Sequence, residues 1–208
     1  MVAAGDFAIE VQALHKDYGD IYAVQGVDFT VQRGEIFSLL GPNGAGKSTI
    51  ISMLSCLLEP TQGQAWVMGH SITEEPMAVK ANLGVVPQEI AIYEDLSARE
   101  NLMFWGKMYG LRGNQLKQRV DEILDLTELK DRQSDRAGKF SGGMKRRLNI
   151  GIALLHEPKL VIMDEPTVGI DPQSRRRILD SVKQMNIQGM TVLYTTHYME
   201  EAKELYDH

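Results

Sequence analysis

The segment Gly41-Pro42-Asn43-Gly44-Ala45-Gly46-Lys47-Ser48 fits the spacing G-x-x-x-x-G-K-[ST] at every fixed position. Glycines so spaced let successive backbone N–H groups converge on an anion, and the N-terminus of a following helix adds partial positive charge. Lys47 then reaches the β- and γ-phosphates of a nucleoside triphosphate and the Ser48 hydroxyl binds Mg²⁺, with Thr49 completing the turn. The bland alternative is a chance Gly/Lys-rich turn. Its context argues otherwise, because Glu35–Leu40 reads as a buried strand and Lys47–Leu54 has helical character. Strand, turn and helix are the order this chemistry requires.

A second acidic element belongs with the first. Leu160-Val161-Ile162-Met163 is a continuous apolar run, as expected of a strand covered on both faces, and it ends in Asp164-Glu165-Pro166. Open α/β sheets bind ligands at the carboxyl ends of their strands. There Asp164 can hold Mg²⁺ directly or through water, and Glu165 can orient or deprotonate an attacking water. A solvated acidic turn is the alternative, and the phosphate loop upstream makes it the weaker one.

Phe140-Ser141-Gly142-Gly143-Met144-Lys145-Arg146-Arg147-Leu148 carries a third element. Ser141 is a good N-cap, and Leu148, Ile152 and Leu155 follow with helical periodicity, so Ser141, Gly142 and Gly143 form another anion site at a helix start. This segment resembles the signature of ATP-binding cassette (ABC) ATPases, and the likeness spans nearly the whole chain in the family's order. Met144 departs from the usual glutamine, removing an amide that could hydrogen-bond nucleotide. Phe-Ser-Gly-Gly-Met followed by basic residues looks like the branch of bacterial exporters that move drugs, antibiotics, lipids or ions.

The resemblance implies further roles. Tyr18, in Lys16-Asp17-Tyr18-Gly19, corresponds to the aromatic that stacks on adenine; Tyr22 shares the same expected loop, and the Lys-x-Tyr-Gly pattern favours Tyr18. Gln88, in Val86-Pro87-Gln88, corresponds to the glutamine that senses Mg²⁺ and contacts the membrane subunit. Asp171, in Gly169-Ile170-Asp171, belongs to the loop linking two sites of a dimer, and His197 corresponds to the switch histidine at the γ-phosphate. The family implies ATP and Mg²⁺ as cofactors. It also implies a second ATPase subunit, expected as a head-to-tail homodimer, in which each ATP lies between Lys47 and Ser48 of one chain and Ser141–Gly143 of the other. An integral membrane permease completes the assembly, at the cytoplasmic face of the cell membrane. Arg146, Arg147, Arg175, Arg176 and Arg177 fall at helical spacing and read as solvated faces outside the site.

The elements that position these groups follow from pattern. The fold expected is α/β: a P-loop NTPase (RecA-like) core with a mostly parallel sheet, an N-terminal antiparallel β edge and an inserted helical subdomain. Phe7–Val11 and Val27–Val31 alternate as strands of that edge, and Met190–Thr196 reads as a further strand. Leu116, Val120, Ile123 and Leu124 mark an amphipathic helix. Asp171-Pro172 opens another helix that buries Ile178, Leu179, Val182 and Met185 and ends near Gly189. One ATPase domain is expected, with a nucleotide-binding core over residues 1–90, a helical subdomain over 91–156 and the rest of the core over 157–208.

Composition sets the remaining bounds. The 208 residues suffice for one good-sized core. With 22 basic and 28 acidic side chains the net charge is −6, without the clustered Lys/Arg of a nucleic-acid surface, so no nucleic-acid partner is expected. The single Cys56 permits no disulfide within the chain and suits a reducing cytosol. Residues 1–10 lack the pattern of a secretory signal, and no apolar stretch approaches a membrane span, so a transport pore must be another chain. Family members continue past the switch histidine with further strands, so a truncated chain is expected. Two alternatives remain: a soluble ABC ATPase without a transport role, and a nucleotide-gated regulatory module.

Overall fold

The computed structural model describes residues 7–206. Two four-stranded sheets organise it. Strands β1 (Phe7–Tyr18), β2 (Ile21–Gln32), β3 (Ile36–Leu40), β4 (Gln62–Val67), β5 (His70–Ser71), β6 (Leu83–Val86), β7 (Leu160–Asp164) and β8 (Thr191–Thr196) divide between them. The first sheet is antiparallel in the order β2-β1-β4-β5, and the second is parallel in the order β3-β8-β7-β6. The antiparallel region is thus a sheet of its own.

Its first two strands run well past the alternating segments Phe7–Val11 and Val27–Val31. The pattern breaks at Ala13, which takes a positive φ of 44° in a bulge where the register shifts between Val11 and Leu14. Asp28 Oδ1 accepts the Ala13 N–H at 2.8 Å and repairs the missing ladder bond. The strands therefore continue to a two-residue turn at Gly19-Asp20, which places Tyr18 and Tyr22 on strands rather than in a shared loop.

The helices are α1 (Lys47–Leu54), α2 (Pro76–Asn82), α3 (Ala98–Met108), α4 (Gly113–Leu126), α5 (Gly142–Leu154), α6 (Pro172–Ile187) and α7 (Met199–Tyr206). Their starts follow local chemistry. Ser97 and Glu100 form a capping box at α3, Ser141 accepts the Met144 N–H at α5, and Asp171 with Pro172 begins α6. At the far end of α6, Gly189 takes a φ of 92°, which glycine adopts without strain.

The parallel sheet is covered on both faces, so every residue of β7 and β8 is buried. Alternation along β7 shows how. Leu160 and Ile162 join α1 and the antiparallel sheet in one apolar cluster, whereas Val161 and Met163 join α3 to α6 in the other. The expected buried faces of α4 and α6 sit in that second cluster, which runs unbroken from the helical stretch onto the sheet. Helix α5 lies close to β6: a Cβ at Gly84 would fall closer than 3.0 Å to the Ala153 carbonyl oxygen. No helix among the described residues is long and apolar enough to cross a membrane.

Candidate functional site

Parallel register brings four chain segments to one edge. Leu40 pairs with Thr196, Asp164 with Thr195, and Val86 with Met163. The residues that follow these strands therefore emerge together: the glycine loop 41–46, Pro87-Gln88, Glu165 and His197. This is the ligand-binding edge of an open α/β sheet.

The glycine loop is pinned from the side. Gly46 has a φ of 84° and lies so close to β2 that a Cβ would fall within 3.0 Å of the Ala23 carbonyl oxygen. Only glycine combines that conformation with that approach. Gly46 is also the N-cap of α1 and offers no side-chain acceptor, so the first-turn N–H groups of the helix are left for an external anion. Above them opens a cleft of ≈ 440 Å³ lined by Tyr22, Ala23, the segment Asn43–Thr49, Gln88 and Glu165, among others.

The chemistry-bearing side chains meet at this sheet edge, Lys47, Ser48, Gln88 and Glu165 lining the cleft and Asp164 and His197 standing behind them in contact with Ser48 and Glu165. Ser48 Oγ donates to Asp164 Oδ2 at 2.9 Å, and Thr195 Oγ1 donates to Asp164 Oδ1 at 2.7 Å. Lys47 Nζ lies 3.2 Å from Glu165 Oε1 and donates to the Gly41 and Pro42 carbonyls at 2.7 and 3.1 Å. His197 Nδ1 is 3.2 Å from Glu165 Oε2. Lys47, Asp164 and Glu165 are all buried, so their charges interact with little water between them. Glu165 itself takes a φ of 44°, a left-handed conformation costing about 1–2 kcal/mol for a residue with a Cβ. Its N–H is held by Thr195 Oγ1 at 2.9 Å, which fixes the carboxylate toward Lys47 and His197.

Ser141, Gly142, Gly143 and Asp171 do not line this cleft. They form a second group, where the N-termini of α5 and α6 meet. A Cβ at Gly142 would stand 3.5 Å from Ile170 Cδ1, and one at Gly143 would overlap Ser174. Asp171 Oδ1 accepts the Ser174 N–H at 3.0 Å, and that bond holds its carboxyl below the usual range. Tyr18 ends β1 half-exposed, with Lys16 Nζ 5.4 Å from its ring centroid, whereas Tyr22 lines the cleft.

Two contributors escape a reading by residue type. Thr195 holds both Asp164 and Glu165, yet in sequence it is one more polar residue in a strand. Arg146, expected on a solvated face, is buried at 3% exposure. Its guanidinium donates to the Pro87 carbonyl at 2.6 Å and to that of Gln88. It ties the signature helix to the Gln88 segment, and burial pulls its pKa down from the ordinary arginine value. Arg175 also turns inward, 3.5 Å from Glu201 Oε1, whereas Arg176 and Arg177 are exposed as expected.

Among the described residues no group of three or more His, Cys, Asp or Glu is placed to hold a metal ion. Ser48 and Asp164 are instead a pair of hard oxygen donors. That set suits Mg²⁺, which takes one or two protein ligands and completes its shell with phosphate and water.

Comparison with known proteins agrees with this geometry. The ABC transporter family profile matches residues 24–168. The linearmycin resistance ATP-binding protein LnrL of Bacillus subtilis is 55% identical over 96% of this chain, and the daunorubicin resistance ATP-binding protein DrrA3 of Streptomyces coeruleorubidus is 42% identical over 97%. The chain spans 64% of the length of each. The dimeric ATP-binding cassette MJ0796 bound to ADP and Pi superposes with a TM-score of 0.83 at 27% identity, over 94% of this chain and 90% of that one. The cbiO1 subunit of the Clostridium perfringens ABC transporter complex cbiONQ gives 0.85 at 28% identity, over 93% and 79%. With the family profile matched over residues 24–168 and the same fold in both solved structures, this chain belongs to the ABC transporter family.

Proposed function

We propose that the chain is the ATP-binding and ATP-hydrolysing unit of an exporter, driving transport through a separate membrane subunit. The observation that carries this reading is the convergence of Lys47, Ser48, Asp164, Glu165 and His197 at one sheet edge. The loop N–H groups and Lys47 bind and orient the phosphates. Glu165 accepts a proton from the attacking water, and its bond to His197 keeps the carboxylate aimed at the cleft. Positioning and charge stabilisation supply most of the acceleration in such transfers. Mg²⁺, held by Ser48 and Asp164 with Gln88 nearby, would neutralise phosphate charge when bound.

In this reading Ser141–Gly143 and Asp171 serve the nucleotide of a second, head-to-tail copy, which accounts for their distance from their own cleft. Tyr18, beside Tyr22, is assigned to the base. The permease is assigned to the surface following Gln88, where Tyr93, Phe104, Met108 and Tyr109 leave apolar area exposed. The complex then works at the cytoplasmic face of the membrane. The resistance functions named for the two relatives support export over import.

The test is Glu165→Gln in the full-length protein, read by phosphate release and nucleotide titration. Hydrolysis should fall by about 100-fold or more with nucleotide binding retained, and an ATP-bound dimer should accumulate. Unchanged turnover would refute the assignment.

A further inference from the structure

The end of β8 and the start of α7 hold a buried polar cluster that the hydrolytic roles above leave unassigned. At its centre is Glu201, at 3% exposure. Its Oε1 accepts from Thr167 Oγ1 at 2.8 Å, and its Oε2 accepts from Tyr194 Oη at 3.0 Å and Thr196 Oγ1 at 2.9 Å. Arg175 adds a positive charge 3.5 Å from Oε1. Thr196 Oγ1 in turn accepts the Tyr198 N–H at 3.0 Å. A buried carboxylate is costly unless its acceptor sites are filled, and here they are filled from three separate parts of the chain.

Those parts are informative. Thr196 and Tyr198 flank His197. Thr167 lies two residues beyond Glu165, in the turns that lead to Asp171, and Arg175 stands on the first turns of α6 behind Asp171. The Arg175 guanidinium also sits 5.2 Å from the centroid of the Tyr198 ring. One carboxylate therefore clamps the turn carrying His197 to the segment that runs from Glu165 to Asp171. Glu201 does not itself line the nucleotide cleft.

We propose that Glu201 is a positioning residue of hydrolysis: its carboxylate sets His197 against Glu165 and makes the His197 turn move as one body with the Thr167–Asp171 loop. The inference rests on the ATPase reading above. It requires that losing the clamp slow the chemical step and leave nucleotide binding, which depends on Lys47 and Ser48, unchanged.

The experiment compares Glu201→Gln in the full-length protein, alone and combined with His197→Ala, by steady-state phosphate release and by titration with ADP. Glutamine keeps the size and loses the charge and half the acceptor capacity. In the wild-type background kcat should fall about tenfold while KM and the ADP affinity stay within about twofold. In the His197→Ala background the same change should alter the residual rate by less than about twofold, because its effect runs through the histidine. Hydrogen exchange at the Tyr198 amide should accelerate in Glu201→Gln, reporting the loosened turn without reference to activity. If Glu201→Gln fails to fold, Tyr194→Phe removes one of the three hydroxyls and should show the same non-additivity at a smaller, roughly threefold, loss. Equal proportional losses in both backgrounds, a loss of ADP affinity matching the loss of kcat, or a wild-type rate overturns the proposal. A wild-type protein that binds ADP and releases no phosphate from ATP removes the ATPase reading and the inference together.

Discussion

Replacing Gly143 by alanine should force two helices apart, while the same change one residue earlier should not. Both glycines stand in the first turn of α5, and the sequence pattern makes both of them backbone donors to an anion. The structure separates them. A Cβ at Gly142 would make ordinary contact with Ile170 at 3.5 Å. A Cβ at Gly143 would lie closer than 3.0 Å to both Oγ and Cβ of Ser174 on α6, a separation that real side chains do not keep. Ser174 is on the first turn of its helix, so the overlap cannot be relieved at a flexible end, and overpacking of this kind costs about 1–3 kcal/mol. Removing the obstructing atoms restores the fit: with Ser174→Gly the nearest remaining atom is the Ser174 Cα at 3.7 Å, an ordinary contact. That second change carries its own helix penalty of about 0.5 kcal/mol. Urea or thermal unfolding should therefore place Gly143→Ala about 2 kcal/mol below wild type, roughly 4–8 °C in Tm for a domain of this size. Gly142→Ala should lie within about 0.5 kcal/mol of wild type. The Gly143→Ala/Ser174→Gly double variant should recover at least half of the loss, with a coupling of about 1 kcal/mol or more. A double variant no more stable than Gly143→Ala, or equal losses at the two glycines, would refute the packing explanation.

Two further outcomes follow from the same structure. Lys47→Ala removes the ammonium that faces Glu165 and the phosphate loop, and should weaken ATP binding about 100-fold or more in calorimetric titration; a dissociation constant within about threefold of wild type would withdraw its role. His156 stacks on Tyr109 with ring centroids 4.3 Å apart, bonds the Leu83 carbonyl through Nε2, and leaves Nδ1 buried without a hydrogen-bond partner. Burial pulls its pKa below the ordinary histidine value, so the unfolded chain takes up the proton first as pH falls. Stability should therefore decline from about pH 7 toward pH 5, and His156→Phe should flatten the change in urea midpoint over that window; an equal change in both proteins would exclude His156 as its source.

Much of the site was legible because phosphate chemistry leaves local signatures. A glycine loop, an acidic residue closing an apolar strand and a serine opening an apolar-periodic helix are each short-range patterns with a mechanism. The lengths of β1 and β2 were not legible, because the bulge at Ala13 interrupts the alternation that marks a strand, and its repair by Asp28 comes from the neighbouring strand. Nor could a pattern along the chain distinguish Tyr18 from Tyr22. Their placement depends on how far the hairpin reaches over the phosphate loop, which is a matter of sheet geometry.

The charged residues outside the motifs show the deeper limit. Arg146 and Glu201 occupy helix positions that composition assigns to solvent, and both are buried. The groups that make the burial of Arg146 tolerable are remote in sequence, and Glu201 finds only two of its three hydroxyl partners, Tyr194 and Thr196, nearby. The carbonyls of Pro87 and Gln88 reach Arg146 from 59 and 58 positions away, while Thr167 reaches Glu201 from 34 positions away. A charge is stable inside a protein only when polar or oppositely charged groups have been brought to it. Such residues are therefore expected where separate functional segments must keep a fixed relation, and that is where both lie: Arg146 between the signature helix and the Gln88 segment, Glu201 between the His197 turn and the loop to Asp171. Motifs name the groups that meet the nucleotide, whereas the buried charges between them mark which of those groups are tied to move together.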